Sequence, residues 1–423
     1  MPKNLPPAYT IIPSQGPLSG RVSPPGSKSI TNRALLLAAL ANGTSRLTGA
    51  LKSKDTVLMA EALRQMGVTI EEPDATSFVV TGTGRLTAPA APLFLGNAGT
   101  ATRFLTAAVA TVEGTIVVDG DEDMRLRPIR PLVDALQSLG IDATAPTGCP
   151  PVTIVGTGRF GKGKVEIDAS LSSQYVSALL MAAPFGDGPI EVALAGQDIG
   201  ARGYVDLTLA AMRAFGARVE ETSPGTWQVE PTGYVATDYL IEPDASAATY
   251  LWGIEALTDG AIDLGVASDA FTQPDASAQA VIAQFPNMPA VIDGSQMQDA
   301  VPTMAVVAAF NNTPVRFVGI ANLRVKETDR IRAVANELNR IRPGLATEEG
   351  DDLIVASDPN LAVSSPTGAR IETYHDHRIA MSFALAGLKI AGVTILDPAC
   401  TGKTYPEYWE MLASLGVELV PAG

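Results

Sequence analysis

Six times along the chain a short polar or glycine-rich stretch runs into an Ala/Leu-rich segment. These are GSKSITNRALLLAAL from residue 26, GNAGTATRFLTAAVA from 96, SSQYVSALLMAAP from 172, DASAATYLWGIEAL from 244, DAVPTMAVVAAF from 299 and HDHRIAMSFALAGL from 375. Their mean spacing is about 70 residues, a period that points to an internal repeat. The segments are long enough for helices and apolar nearly all round, the pattern of helices buried on every side. Between them lie amphipathic stretches that end in glycine: AEALRQMGV (60–68), RPLVDALQSLGI (130–141), LTLAAMRAFGA (207–217) and YWEMLASLGV (408–417). Glycine there suits a left-handed helix cap, and VTIEE and ARVEE alternate afterwards as strands do. Each unit therefore predicts one buried helix, one surface helix and short strands.

Six such units predict an α/β protein of two domains with three units each. Pro-rich turns at VSPPGS (22–27) and IEPDAS (241–246) mark the crossings. The expected boundaries are 22–241 for one domain and 1–21 together with 242–423 for the other.

At 423 residues, with 46% hydrophobic and 18% charged, the chain has ample material for large cores. No apolar run approaches the ~20 residues of a membrane span. MPKNLPPAYTIIPSQ lacks the basic patch and apolar core of a secretion signal, so a soluble, cytoplasmic protein is expected. Cys149 and Cys400 are the only cysteines and form no CxxC, which indicates neither a disulfide framework nor a zinc site. His375 and His377 flank a single Asp without a further ligand at metal spacing. A formal charge of −15 argues against nucleic acid or an anionic membrane as partner.

Against that acidity, the bases gather at the helix starts. Helix N-termini already carry partial positive charge, so fixed cations there call for an anion. Lys28 and Arg33 follow Gly26 and Ser27, with Ser29 four residues before Arg33 on the same face. The loop is not a Walker A motif. Asn97, Gly99 and Thr100 precede Arg103, and Gly99 permits close backbone approach to a ligand. Arg127 stands beside Pro128 at a helix start, and Ser172, Ser173 and Gln174 offer neutral donors. Arg202 and Tyr204 precede another helix. In NLRVKETDRIRAVANEL, Asn322, Lys326, Glu327 and Arg330 read either as a reactive cluster or as a salt-bridged helix face, with Lys326 one turn from Arg330. Asp299, Arg378 and Lys403 complete the set. Several helix dipoles and cations aimed at one interdomain cleft would bind a multiply anionic substrate.

In order, PGSKSITNRALLLAAL, LGNAGTATRFL, RPIRPLVDAL, SSQYVSALLMAAP, NLRVKETDRI, DHRIAMSFAL and DPACTGKTYPEYW closely resemble the 5-enolpyruvylshikimate-3-phosphate (EPSP) synthase family, from about residue 21 to 409. The resemblance implies a two-domain inverted α/β barrel, each domain three βαβαββ repeats around buried helices. It also implies transfer of the enolpyruvyl group of phosphoenolpyruvate to shikimate 3-phosphate by a monomer, without cofactor or metal. By resemblance, Lys28, Ser29, Arg33, Ser172, Ser173, Gln174, Tyr204, Asp299, Asn322 and Lys326 hold shikimate 3-phosphate. Lys28, Asn97, Gly99, Arg127, Gln174, Arg330, Arg378 and Lys403 hold phosphoenolpyruvate. Asp299 and Glu327 would be the acid/base pair, with Lys28 and Lys403 at the leaving oxygens.

Two positions depart from the family pattern. Ala201 stands where a serine often contacts the phosphate, with Arg202 able to compensate. Phe104 stands where proline is common, and it is expected to shift the Gly99 backbone and alter how glyphosate competes with phosphoenolpyruvate. Three other readings differ in chemistry. UDP-N-acetylglucosamine enolpyruvyl transferases use a loop cysteine that GDEDMRLRP lacks, and RNA 3′-phosphate cyclases favour a nucleotidylated His and a more basic surface. A non-catalytic anion-binding protein would not need Asp299 and Glu327.

Overall fold

The computed structural model describes residues 5–196, 202–267, 270–364 and 368–423. The chain forms two compact units, Gly26–Glu242 and Met1–Pro25 with Pro243–Gly423. Residues 22–25, assigned from the sequence to the first of these, stay with the second. Val22 N donates to Asp263 O, and Pro25 O accepts from Asp244 N.

In Gly26–Glu242 the buried helices are α1 (Lys28–Leu40), α3 (Gly99–Ala108) and α5 (Ser173–Ala182), interleaved with α2 (Lys54–Gln65), α4 (Arg130–Ser138) and α6 (Gly203–Ala214). Every residue of α1 from Ile30 to Leu40 is buried, as an Ala/Leu run without a polar face requires. Burying each of its leucines is worth roughly 1.5–3 kcal/mol. By contrast α4 is amphipathic and buries only Leu132, Val133, Ala135 and Leu136. In the second unit α7 (Ala245–Thr258), α9 (Val301–Ala308) and α12 (His377–Gly387) are the buried helices. They alternate with α8 (Ala278–Ile282), α10 (Arg330–Ile341) and α13 (Tyr408–Ser414), while α11 (Leu361–Ser364) is a single turn. The glycines after α2, α4, α6 and α13 are left-handed: Gly67, Gly140, Gly216 and Gly416 have φ of 87, 82, 84 and 90°.

The sheets repeat one pattern, a parallel pair extended by two antiparallel strands. Leu93–Phe94 pairs parallel with Glu113–Asp119, which pairs antiparallel with Val152–Thr157 and so reaches Asp142–Thr144. Gly163–Ile167, Ile190–Leu194, Thr226–Val229 and Val219–Ser223 repeat it. In the remaining sheet of this unit Tyr234–Val235 and Tyr239–Leu240 join Ala41–Thr48 in parallel, and Ser77–Thr83 and Thr69–Asp74 extend it antiparallel.

The other unit follows the same pattern in Val291–Asp293, Val315–Val318, Asp352–Val355 and Ala346–Glu349. It does so again in Arg370–Ile371, Thr394–Leu396, Ala8–Ile11 and Leu419–Ala422. The repeat that begins with Ser19–Arg21 keeps its parallel partner Ala261–Asp263 and helices α7 and α8, but among the described residues no hairpin completes it.

Two glycines show how tightly strand and helix meet. A Cβ on Gly82 would lie 2.4 Å from Ala41 O and one on Gly156 2.0 Å from Val112 O, so only glycine lets these strands cross the carbonyl ends of the buried helices.

Candidate active site

Each unit carries its own cluster at the starts of its buried helices. In Gly26–Glu242, Ser27 caps α1 by accepting from Ile30 N at 3.3 Å. The anion that the Lys28 position calls for has a resident stand-in: Lys28 Nζ lies 3.5 Å from Asp55 Oδ2, and both side chains are largely buried. Ser29 is half-buried beside it, and its carbonyl accepts from Arg33 Nη1 at 2.9 Å. Arg33 itself is only 1% exposed. Its Nε donates to Thr208 Oγ1 at 2.7 Å, its Nη2 to Tyr204 O at 3.0 Å and Ser177 Oγ at 3.3 Å, and its guanidinium carbon sits 5.1 Å from the Phe104 ring centre. Arg33 therefore ties α1 to α5 and α6 from beneath, and Ser29 and Tyr204 are what it holds.

The start of α3 is arranged around Arg127. This side chain does not stand in the first turn of α4; it ends the short 3-10 turn Met124–Leu126, three residues ahead of Arg130. Arg127 Nη1 donates to Asn97 Oδ1 at 2.9 Å. A methyl on Gly99 would come within 2.9 Å of Cζ, Nη1 and Nη2 of Arg127, so the group the Gly99 backbone admits is this guanidinium. Ser172 caps α5 by accepting from Gln174 N at 3.2 Å, and Ser173 is buried in its first turn.

Arg103 organises what lies between. Its Nη1 donates to Gln174 Oε1 at 2.7 Å, which turns the Gln174 amide nitrogen to Thr100 Oγ1 at 3.1 Å. Its Nη2 reaches Pro128 O at 3.5 Å, where Tyr175 OH also donates at 2.7 Å, so the carbonyl of the residue next to Arg127 is pinned from α3 and α5 together. The sequence alone assigns Arg103 no role.

Arg202 Nη2 donates to both Glu221 oxygens at 2.7 Å, which leaves it engaged by a carboxylate rather than set to compensate for Ala201. Ala201 lies outside the described residues.

In the second unit, Arg330 is the hub. It is 1% exposed and accepted by three carboxylates. Nε and Nη2 donate to Asp376 at 2.7 and 3.2 Å, Nη1 to Asp299 Oδ1 at 3.0 Å and Nη2 to Glu327 Oε2 at 2.6 Å. Arg378 Nη2 donates to the other Asp299 oxygen at 2.7 Å, and Lys403 Nζ lies 3.3 Å from Glu327 Oε1. Three cations thus face three carboxylates. Burial opposes the charge of Arg330, yet Asp376, Glu327 and Asp299 together hold its pKa above the usual arginine value. Arg378 is raised likewise: burial opposes its charge, and Asp299 leads the groups that favour it. Tyr250 OH, 3.4 Å from Arg378 Nη1, is pushed up to about 12 by burial.

Helical spacing does not explain this cluster. Asp329 caps α10 by accepting from Arg332 N at 3.1 Å, so Lys326 and Glu327 lie before the helix and share no face with Arg330. Lys326 is half-buried at the end of the turn Ala321–Val325, and Asn322 in that turn donates to Gln298 Oε1. Asp299 lies in the turn Gln298–Ala300 just ahead of α9. Asp376, missed from the sequence, caps α12 by accepting from Arg378 N at 2.9 Å. Its signal was an Asp three residues before Ile379, where a buried apolar run starts. The two histidines diverge: His375 Nδ1 faces Asp397 Oδ2 at 3.2 Å near the surface, while His377 is fully buried.

A family model described as EPSP synthase (3-phosphoshikimate 1-carboxyvinyltransferase) matches residues 12–412. The chain belongs to the EPSP synthase family. A 3-phosphoshikimate 1-carboxyvinyltransferase of Rhizobium leguminosarum bv. trifolii (strain WSM2304) is 73% identical over 408 residues, 96% of this chain and 97% of the relative. One from Pseudomonas syringae pv. syringae (strain B728a) is 70% identical over 410 residues, 97% of this chain and 98% of the relative. Among solved structures, EPSP synthase from Acinetobacter baumannii superposes with a TM-score of 0.78 at 27% identity, over 98% of this chain and 99% of that one. The enolpyruvyl transferase NikO from Streptomyces tendae shares the fold alone, with a TM-score of 0.73 at 17% identity over 99% of this chain and all of that one. The EPSP synthase fold is thus the two-domain α/β architecture expected from the repeat. Among the described residues no helix is long and apolar enough to cross a membrane.

Proposed function

We propose that this protein transfers the enolpyruvyl group of phosphoenolpyruvate to the 5-hydroxyl of shikimate 3-phosphate, releasing inorganic phosphate, on the way to chorismate and the aromatic amino acids. The observation that carries the reading is the pair of carboxylates, Asp299 and Glu327, held on one buried guanidinium, Arg330. Addition of an alcohol to an enol phosphate needs one group to take a proton and one to give it. Two carboxylates fixed by a common cation keep a defined separation and orientation for that task.

In the addition step Asp299 takes the proton of the 5-hydroxyl as its oxygen bonds to C2 of phosphoenolpyruvate. Glu327 gives a proton to the methylene carbon, which forms a tetrahedral intermediate. In the elimination step the bond from C2 to the phosphate oxygen breaks, the methyl group returns a proton, and the enol double bond re-forms. Lys28 and Lys403 stabilise the leaving oxygens. Lys28, Ser29, Arg33, Ser172, Ser173, Gln174, Tyr204, Asp299, Asn322 and Lys326 hold shikimate 3-phosphate, and Arg33 also clasps the carbonyls of Ser29 and Tyr204. Asn97, Gly99, Arg127, Gln174, Arg330, Arg378 and Lys403 hold phosphoenolpyruvate. The resident pairs Lys28–Asp55 and Arg378–Asp299 keep these cations oriented in the absence of substrate. The enzyme works as a cytoplasmic monomer and requires no cofactor.

The test mixes the protein with phosphoenolpyruvate and either shikimate 3-phosphate or UDP-N-acetylglucosamine and measures released phosphate. Release with shikimate 3-phosphate alone is expected; release only with the sugar nucleotide, or with neither, ends this reading.

A further inference from the structure

The buried cations of this fold are compensated in two different ways. Lys28 has Asp55, and Arg330 has Asp299, Glu327 and Asp376. Arg33, equally buried, has no carboxylate within ion-pair distance among the described residues. Its contacts are two hydroxyls, two backbone carbonyls and the face of Phe104, which is 0% exposed. Burial pulls its pKa down to about 10, so it is still a cation at neutral pH. Burying an unpaired charge is costly unless the surroundings supply negative potential. The face of an aromatic ring does so, and the attraction is strongest in a desolvated site.

Resting on the activity proposed above, we propose that Phe104 is a positioning residue for shikimate 3-phosphate. Its ring holds the Arg33 guanidinium in place without cancelling its charge. A carboxylate at the same place would orient Arg33 equally well, but it would neutralise the cation and repel an incoming phosphate or carboxylate. A ring does neither. Held over Phe104, Arg33 clasps the carbonyls of Ser29 and Tyr204 and leaves a net positive charge beneath these two residues. In low-dielectric surroundings that charge is available to the phosphate or carboxylate of bound shikimate 3-phosphate. Phe104 thereby acts on the shikimate side of the reaction through Arg33, rather than on phosphoenolpyruvate through the Gly99 backbone.

The experiment replaces Phe104 by phenylalanines carrying one, two, three and five ring fluorines. These keep the shape and progressively remove the negative ring face. Phe104→Leu serves as a second variant that keeps an apolar filler. Calorimetric Kd for shikimate 3-phosphate, KM for phosphoenolpyruvate and kcat are measured for each. The Kd is expected to rise stepwise with fluorination, by about three- to tenfold at five fluorines and for leucine, while KM for phosphoenolpyruvate and kcat stay within about twofold. A Kd indifferent to fluorination, or a rise in KM for phosphoenolpyruvate in its place, overturns the role of Phe104. A wild-type protein that fails to bind shikimate 3-phosphate would instead overturn the functional reading, a result separable from a wild type that binds and a fluorinated series that binds equally well.

Discussion

Gly99 lies directly under the guanidinium of Arg127: a methyl there would stand 2.9 Å from three of its atoms. The obstacle is the far end of a flexible side chain, not backbone, so Gly99→Ala is expected to fold normally and to push Arg127 off Asn97. Losing one charge-assisted contact to an anion is worth roughly 1.5–3 kcal/mol. KM for phosphoenolpyruvate should rise about tenfold or more, with Kd for shikimate 3-phosphate unchanged. Steady-state kinetics check this, and an unaltered KM would mean that Arg127 has room the geometry does not suggest.

Glu327 is held by Arg330 and Lys403, both through its carboxylate oxygens. Glu327→Gln keeps the shape but removes the proton donor. Turnover should fall by about 10²–10⁴-fold, while substrate binding by calorimetry stays within a few-fold. Near-normal turnover would take Glu327 out of the acid/base role.

Asp376 is fully buried, receives two hydrogen bonds from Arg330 and caps α12. Removing one partner of a buried ion pair costs about 3–5 kcal/mol. Asp376→Asn retains a cap and one acceptor, so a loss of at least about 2 kcal/mol is expected from urea unfolding, with Asp376→Ala losing more. Equal stability of wild type and both variants would show that Arg330 is satisfied without it.

On the surface, Arg202 and a backbone N–H from Gly225 hold the Glu221 carboxyl below its ordinary value of 4.5. The sign follows from proton binding: near pH 4 the unfolded chain binds the proton more readily than the folded one. The stabilisation is therefore full above pH 4.5 and is lost as pH falls through the lower folded pKa. Because both side chains are about a third exposed, the effect is at most about 1 kcal/mol. Glu221→Gln should lower stability at pH 7 by that amount and match wild type near pH 3; a constant gap across this range would assign the loss to packing.

The helix starts were legible because burial leaves a local signature. A run such as ALLLAAL has no polar face, and a glycine at the end of an amphipathic stretch marks a left-handed cap. Side-chain networks leave none. Arg103 and Gln174 are 71 residues apart, Arg330 and Asp376 46, and nothing in the intervening sequence fixes which residues meet. Helical spacing misplaces Lys326 and Glu327, because the Asp329 cap starts α10 after them. Lys28 and Arg33 began as two similar cations at one helix start, and the fold gives them opposite settings: a carboxylate for Lys28 and a ring for Arg33.

The second unit is closed by Ala8–Ile11, which inserts between Thr394–Leu396 and Leu419–Ala422. A ribosome at roughly 5–20 residues per second finishes Gly26–Glu242 long before it releases the last partner of that strand. The first strand made thus waits tens of seconds for the last, an unpaired β-edge exposed to the cell's chaperones throughout. Joining Ala422 to Ala8, paired directly across the sheet, and opening the chain at Pro25–Gly26 would let both units mature in the order in which they are translated.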